Sequence, residues 1–213
     1  MLYSFKKAFV TGCDKNTEWM LPWFLENYRK HNNLPIVICD FGMTKEGREK
    51  VKNNFIIEMD PIKHKKWFLK PKSMLECPSE YTCWIDTDCH VLGNIEDIFD
   101  YCEPNKLAMC EDIPWTQRRK EIWHNSGVVA FQHKPDILKR WEHQCRVDPI
   151  VGDQETLHVM LNPLEKMVNV TTLPKKYNVV RLQLLDNTAP EEILVMHWTG
   201  KKGKDKIMEL MND

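Results

Sequence analysis

Residues 81–88 have the sequence YTCWIDTD, an apolar strand-like segment that passes directly into two carboxylates, Asp86 and Asp88. In open α/β sheets, ligands gather beyond the carboxyl ends of strands, at the point where the strand order switches. Carboxylates at such a place suit Mg²⁺ or Mn²⁺, which prefer hard oxygen ligands and complete their shell with water and phosphate. An Asp-x-Asp triplet also occurs in solvated turns, but the strand before it and the apolar Val91 and Leu92 after it favour a metal site.

The segments before this stretch alternate between strand-like and helix-like patterns. Such alternation predicts an α/β fold with a central, mostly parallel sheet flanked by helices. Strands are predicted at 7–11, 36–39, 55–59 and 81–85. Helices are predicted at 17–31, 44–54 and 73–77, with a basic, aromatic stretch at 63–72 before the last of them. Three βα units are therefore expected to be complete by Asp60.

Beyond Val91 the alternation becomes irregular. Further strands are predicted at 106–110, 127–131, 168–172 and 192–196. Further helices are predicted at 94–101, 135–145, 153–161 and from Asp205 onward. The segment that contains Trp115 and Trp123 is expected to be a long polar connection. No internal repeat or linker composition interrupts the chain, so one domain in two parts is predicted.

Composition narrows the class of protein. The 213 residues include 30 Lys plus Arg and 31 Asp plus Glu, and this balance argues against a surface shaped for nucleic acid or anionic membrane. No stretch approaches the ~18 apolar residues of a membrane span, which predicts a soluble, cytoplasmic protein. Eight cysteines without a CxxC pair lie in or near apolar runs. They are expected to be buried, reduced thiols and not disulfide bridges or a zinc site.

Five short blocks in this order give the sequence a family resemblance: FVTGCD at 9–14, WIDTD at 84–88, NSGV at 125–128, GDQ at 152–154 and HWTG at 197–200. Together they resemble the GT-A superfamily of glycosyltransferases, in its glycogenin-like and galactosyltransferase-like branch. The resemblance spans nearly the whole chain. The chain is short for the superfamily, and in this respect it is similar to compact virus-encoded members, among them chlorovirus enzymes.

This resemblance implies a Rossmann-like GT-A fold with a smaller acceptor-side subregion. Residues 1–92 would form the nucleotide-binding half, and residues 93–213 would bind the donor sugar and the acceptor. The chain could be one domain of a longer polypeptide, located in the host cytoplasm if the protein is viral.

The same resemblance implies three metal ligands. Asp86 would serve both the donor ribose and the metal, Asp88 would be the stronger ligand, and His197 would be the third. A neutral imidazole tolerates Mn²⁺ better than Mg²⁺, so manganese is the first expectation and magnesium the second. The alternative for His197 is a buried core histidine with its hydrogen bonds satisfied.

Further residues are candidates for binding the nucleotide. In the first half these are Thr11, Gly12, Asp14, Asp40, Lys70 and Lys72, for which a structural turn or solvated lysines are the alternatives. Late in the chain, Gly200 lets the backbone approach a phosphate, and one of Lys201, Lys202 and Lys204 would neutralise the diphosphate. The family places its lysine six residues after the histidine, where this chain has Gly203.

The donor sugar would meet two blocks. Asn125, Ser126 and Gly127 match a segment that contacts sugar hydroxyls, while Asp153 and Gln154 match one that lies near the anomeric carbon. Asn125, Asp153 and Gln154 are therefore the catalytic candidates. The alternative for Asp153 is an N-cap of the following helix.

The predicted function is metal-dependent transfer of a sugar, with retention, from a UDP-linked donor to a glycan or other hydroxyl acceptor. A non-catalytic module that binds sugar nucleotides or glycans is one alternative. A sugar nucleotidyltransferase is another, although the early Gly-rich phosphate loop typical of that class is missing from the sequence.

Overall fold

A computed structural model describes residues 3–212 and contains one large and one small β-sheet. The strands are β1 (Phe5–Cys13), β2 (Ile36–Asp40), β3 (Phe55–Glu58), β4 (Ser79–Ile85), β5 (Cys89–Val91), β6 (Leu107–Glu111), β7 (His124–Gln132), β8 (Val170–Thr172), β9 (Val179–Val180) and β10 (Val195–His197). The α-helices are α1 (Leu21–His31), α2 (Lys45–Lys50), α3 (Lys70–Glu76), α4 (Ile113–Arg119), α5 (Asp136–Val147), α6 (Asp153–Met160), α7 (Pro163–Asn169), α8 (Arg181–Leu185) and α9 (Gly200–Asn212). Short 3₁₀ turns occupy Glu18–Met20, Lys66–Leu69, Glu96–Tyr101 and Lys175–Tyr177.

The large sheet has the strand order β3-β2-β1-β4-β7-β6-β8. From β1 the chain moves outward through β2 to β3 and then returns to β4 on the other side of β1. Only β7 runs antiparallel to its neighbours in this sheet, so the predicted mostly parallel α/β sheet is confirmed. The switch in strand order lies between β1 and β4, which places a ligand site beyond the carboxyl ends of these two strands.

Both faces of the large sheet are covered, because residues along its strands alternate in direction. Phe9 of β1 packs with α1 residues in one apolar cluster, while its neighbours Ala8 and Val10 pack with α3 and α5 residues in a second one. The strands β1, β2 and β4 are thus buried on both sides, as expected for parallel strands. This burial fixes the register of β4 and hence the position of the residues that follow it.

Several boundaries differ from those predicted. The segment at 113–119, predicted to be a polar connection, is the helix α4, because the Asp112 side chain accepts a hydrogen bond from Trp115 N and caps it. The last helix begins at Gly200 and not at Asp205, since Gly200 adopts a φ of +72° that turns the chain into α9. The helix predicted from residue 17 starts as a 3₁₀ turn and becomes α-helical only at Leu21.

The cysteines are free thiols, and seven of the eight are buried, which confirms that prediction. Within residues 3–212, the helices are all too short or too polar to cross a membrane.

His124 at the start of β7 makes the fold sensitive to acid. Burial, and after it the nearby Lys166 and His158, lower its pKa from 6.5 to about 4. The unfolded chain therefore takes up a proton near pH 6.5, whereas the folded chain takes it up only near pH 4. The stability that neutral His124 contributes is complete above pH 6.5 and is lost as the pH falls toward 4.

We expect the His124→Gln variant to lose this part of the acid sensitivity. At about 1.4 kcal/mol per pKa unit, the wild type should lose up to about 3 kcal/mol more unfolding free energy than the variant between pH 7 and pH 4. Urea unfolding of both proteins at several pH values measures the difference. The same pH dependence in both proteins would contradict the assignment to His124.

Candidate active site

A cleft of about 630 Å³ opens beyond the carboxyl ends of β1 and β4, at the predicted switch point. Of the residues proposed from the sequence, the structure places seven on its walls: Gly12, Asp14, Lys70, Asp86, Asp88, Asp153 and Lys204. They come from both halves of the chain, since Asp153 begins α6 and Lys204 lies in α9. The cleft therefore joins segments that are up to 192 residues apart in the sequence, from Gly12 to Lys204.

The two carboxylates after β4 are held by the turn at 86–89. Asp86 N donates to Gly127 O at 2.9 Å, and Cys89 N donates to Asp86 O at 3.0 Å. Trp84 Nε1 donates to Asp86 Oδ1 at 2.7 Å, which fixes this carboxylate against the strand. Burial raises the pKa of Asp86, and the ammonium of Lys70 offsets this only in part. At Asp88 burial acts in the same direction, yet the adjacent His197 holds the pKa below its usual range.

His197 reaches these carboxylates because β10 pairs with β5. The antiparallel register sets His197 opposite Cys89, and Trp198 N donates to Asp88 O at 3.0 Å. The Nε2 atom of His197 lies 3.2 Å from Asp88 Oδ1 and 3.8 Å from Asp86 Oδ2. Burial alone would lower the pKa of His197, but Asp88 outweighs it and raises the pKa. The three residues predicted as metal ligands therefore converge at one point.

The chemistry of this donor set fits a divalent cation. Carboxylate oxygens with one imidazole nitrogen suit a cation such as Mn²⁺ or Mg²⁺, whereas softer metals are typically held by thiolates. Cys89 also lies within 4.8 Å of the donor atoms of Asp88 and His197, but burial raises the pKa of its thiol well above the usual range. Mn²⁺ and Mg²⁺ prefer oxygen donors to thiols, so Asp86, Asp88 and His197 suit these ions better than Cys89 does.

A buried ammonium links the two halves of the site. Lys70 Nζ lies 3.0 Å from Asp86 Oδ1 and 3.0 Å from Asp153 Oδ2. It also donates to the carbonyl and hydroxyl oxygens of Ser126 at 3.2 Å. Burial lowers the pKa of Lys70, but the two carboxylates outweigh it and raise the pKa, so the side chain is charged. Asp153 is the first residue of α6, and no side chain caps this helix, so the N-cap alternative for Asp153 does not hold.

The remaining donor-sugar candidates lie behind the cleft wall. Asn125 and Gln154 both donate to Asp112 Oδ2, at 2.9 Å and 3.0 Å respectively. Ser126 N donates to Gln154 Oε1 at 3.2 Å. Gly127 lies under the imidazole of His197, where a Cβ atom would be 2.2 Å from Cε1 and 2.4 Å from Nδ1. These four residues thus support the cleft from behind and do not line it.

Three candidates from the first half stay out of the cleft. The Thr11 side chain is fully buried. Asp40 Oδ1 accepts from the backbone amides of Gly42 and Met43, at 2.7 Å and 2.6 Å, so it caps its own turn. Lys72 forms an ion pair with Asp60 at 3.2 Å. The structure does not bring these side chains to the cleft.

The late basic cluster contributes one residue to the cleft. Gly200, Lys201 and Lys202 are exposed in the first turn of α9, and Lys204 reaches the wall. A Cβ atom at Gly203 would lie 2.0 Å from the carbonyl oxygen of Trp198, so close packing of the helix excludes a lysine at this position. The positive charge is carried instead by the next residue along.

The cleft also contains residues that the sequence did not single out. These are Cys13, Asn16, Thr17, Met20, Phe41, Lys65, Lys66, Trp67, Trp84 and Thr87. The ring of Phe41 lies parallel to that of Trp84, with centroids 6.4 Å apart. A Cβ atom at Gly12 would lie 2.4 Å from Phe41 Cζ. Trp67 is 44% exposed and is covered by Lys65 Nζ at 4.7 Å from the ring centroid. The basic, aromatic composition of 63–72 was the one available signal for this wall.

Comparison with solved structures defines the class of fold. The galactosyltransferase LgtC, in complex with donor and acceptor sugar analogues, superposes with a TM-score of 0.69 and 14% identity over 96% of this chain and 95% of that chain. The chain therefore has the GT-A fold, which confirms the fold expected from the five sequence blocks.

Two further structures show the same architecture. The glycosyltransferase GlyE of Streptococcus pneumoniae TIGR4 gives a TM-score of 0.69 and 17% identity, over 92% of this chain and 55% of that chain. Mouse xyloside xylosyltransferase 1 gives a TM-score of 0.61 and 11% identity, over 91% of this chain and 97% of that chain. No protein-family model and no curated protein sequence matches the chain. The neighbours give no support to a similarity with virus-encoded members.

We expect Gly127→Ala to destabilise the fold, because the added methyl group collides with the His197 ring. Overpacking of this kind costs about 1–3 kcal/mol. Gly93→Ala is the matched control, since its Cβ would contact only the flexible end of Leu194. Urea unfolding measures both variants, and equal stabilities would show that the ring of His197 moves aside without cost.

Proposed function

We propose that this protein is a glycosyltransferase that takes a sugar from a UDP-linked donor and passes it to a hydroxyl group of a glycan acceptor. The observation that carries the proposal is the convergence of Asp86 and Asp88, which line the cleft, with the buried His197 directly behind them. The GT-A fold supports the same conclusion, because LgtC with this architecture is a galactosyltransferase that has been captured with sugar analogues. Residues 1–92 would supply most of the nucleotide pocket.

Charge balance supports a divalent cation in this site. Asp86, Asp88 and Asp153 carry three negative charges on largely buried side chains, and Lys70 returns one positive charge. Because Asp88 raises the pKa of His197, a proton on this imidazole offsets part of the charge when no metal is bound. A cation that takes the place of this proton on Nε2 would meet two negative charges, which a single Mn²⁺ or Mg²⁺ would balance. Uncompensated charge in a partly dry cleft is costly, so this deficit favours cation binding.

Asp86, Asp88 and His197 would hold the cation. When bound, it would stabilise the negative charge that develops on the diphosphate as the bond to the sugar breaks. Three lysines on the cleft walls would neutralise the remaining phosphate charge, namely Lys65, Lys66 and Lys204. The parallel rings of Phe41 and Trp84 border the same space, on the side where Gly12 and Asp14 would meet the nucleoside.

Transfer with retention remains part of the proposal, and the environment of Asp153 argues against a route through a covalent intermediate on this residue. Its carboxylate is paired with charged Lys70 at 3.0 Å, so it is committed to an ion pair and is a weak nucleophile. The sugar C1–O bond to the diphosphate would then break on the face where the acceptor oxygen arrives. A phosphate oxygen of the leaving group would take the acceptor proton, and the new C1–O bond would form with the same anomeric configuration.

We expect UDP to stabilise the fold when Mn²⁺ is present and to lose this effect in excess chelator. At a hundredfold excess over its dissociation constant, UDP should add roughly 2.7 kcal/mol to the unfolding free energy. Thermal unfolding with UDP, Mn²⁺, Mg²⁺ and chelator in all combinations measures the effect. Equal stabilisation by UDP with and without metal would exclude a site shared by nucleotide and cation.

We expect Asp88→Asn to reduce release of UDP from a UDP-sugar donor by about 100-fold or more, because a direct ligand of the cation is lost. A panel of UDP-sugars is assayed first with the wild type, with and without an acceptor glycan. Asp100→Asn is the control, since this carboxylate is 76% exposed and outside the cleft. Wild-type binding of UDP without any turnover would identify a binding module, and unchanged turnover in Asp88→Asn would refute its role.

A further inference from the structure

A chain of buried side chains leads away from the cleft behind His197. The Nδ1 atom of His197 lies 3.0 Å from Asn178 Oδ1, and Asn178 Nδ2 donates to Asn125 Oδ1 at 2.8 Å. Asn125 Nδ2 in turn donates to Asp112 Oδ2 at 2.9 Å. All four side chains are buried, with exposed fractions between 1% and 5%. Asp112 and Asn178 do not line the cleft, and the proposed reaction has not used them.

The carboxylate of Asp112 gives this chain one direction. An ionised carboxylate only accepts hydrogen bonds, so the amide of Asn125 must turn its nitrogen toward Asp112. The oxygen of Asn125 then accepts from Gly127 N at 2.9 Å and from Asn178. Because Asn178 Nδ2 donates a hydrogen bond to Asn125, the oxygen of the Asn178 amide faces His197.

An acceptor beside Nδ1 decides which imidazole nitrogen carries the proton. Facing Asn178 Oδ1, Nδ1 must donate, so Nε2, which faces the carboxylates of the proposed metal site, is the nitrogen left to bind a cation. Partners of this kind fix the ring orientation of metal-bound histidines and contribute to metal affinity.

We propose that Asn178 and Asp112 are positioning residues that fix His197 with its Nδ1 protonated and its Nε2 directed to the cation. This inference rests on the proposed metal-dependent function. Asp112 has a second arm, since Gln154 Nε2 also donates to its Oδ2 and thereby points Gln154 Oε1 at Ser126 N. One carboxylate therefore orients both the metal side and the donor-sugar side of the site.

Two substitutions at Asn178 separate the proposed role from general packing. Asn178→Leu keeps the size of the side chain but removes the acceptor, so Mn²⁺ affinity in the presence of UDP should fall about 10- to 100-fold. Asn178→Asp keeps an acceptor beside Nδ1 but puts its second oxygen opposite Asn125 Oδ1 in place of a donor, so it should retain more Mn²⁺ affinity than Asn178→Leu. Asn32→Leu is the matched control, because Asn32 is a buried amide with three hydrogen bonds away from the cleft.

Asp112→Asn tests the anchor of the chain. Asparagine still caps α4, so the helix is preserved, but its amide can donate as well as accept and no longer imposes a direction on Asn125. We expect a loss of Mn²⁺ affinity that is smaller than the loss in Asn178→Leu.

Two readouts are needed, namely Mn²⁺ titration followed by electron paramagnetic resonance and ¹⁵N–¹H NMR of the metal-free protein. The NMR should show a slowly exchanging Nδ1–H proton of His197 in the wild type and in Asn178→Asp, and should lose it in Asn178→Leu. Equal Mn²⁺ affinity in wild type and Asn178→Leu, or a wild-type His197 without the Nδ1–H proton, would overturn the inference. A wild type that binds no Mn²⁺ would instead overturn the proposed metal site itself, and this inference with it.

Discussion

The ion pairs of Lys70 are the constraint on which the cleft depends. This buried ammonium contacts the carboxylate that follows β4 and the carboxylate that begins α6, and so it ties the first half of the chain to the second. Removing one partner of such a buried set leaves an uncompensated charge, which typically costs about 3–5 kcal/mol. The positions of Asp86, Asp153 and α6 are therefore coupled, and the donor side of the cleft cannot loosen without exposing a charge.

The small sheet holds His197 next to Asp88, much as the ion pair with Lys70 holds Asp153 next to Asp86. His197 is more than 100 positions after Asp88 in the sequence, yet the antiparallel pairing of β10 with β5 sets it opposite the residue that follows Asp88. Gly127 leaves room for the imidazole ring, and Asn178 Oδ1 lies 3.0 Å from its Nδ1 atom. A side chain on a strand is held more rigidly than one on a loop, which suits the metal-binding role proposed for His197.

The difference between what could and could not be predicted from the sequence follows from the range of the interactions. Asp86 and Asp88 could be found because a buried strand directly precedes them, so the signal is local. Asp40 presents the same local signal, but its carboxylate is captured by the amides of its own turn. Asp112 and Asn178 both form hydrogen bonds with Asn125, from which they lie 13 and 53 positions away in the sequence. No periodicity or motif in the sequence indicates such pairings.

The position of Lys204 on the cleft wall follows from the packing of its neighbour Gly203. The Cβ atom of a lysine at position 203 would lie 2.0 Å from Trp198 O, so either α9 or the Trp198 backbone, which directly follows His197, would have to shift. The chain keeps the tight contact and has Lys204 on the wall, with Lys65 and Lys66 on the segment that precedes α3. The walls then hold four lysines with four aspartates: Asp14, Asp86, Asp88 and Asp153. In the proposed reaction the aspartates around His197 would bind the cation and the lysines would face the diphosphate. The close packing at Gly203 therefore excludes a lysine at that position, while Lys204 still places a positive charge on the cleft wall.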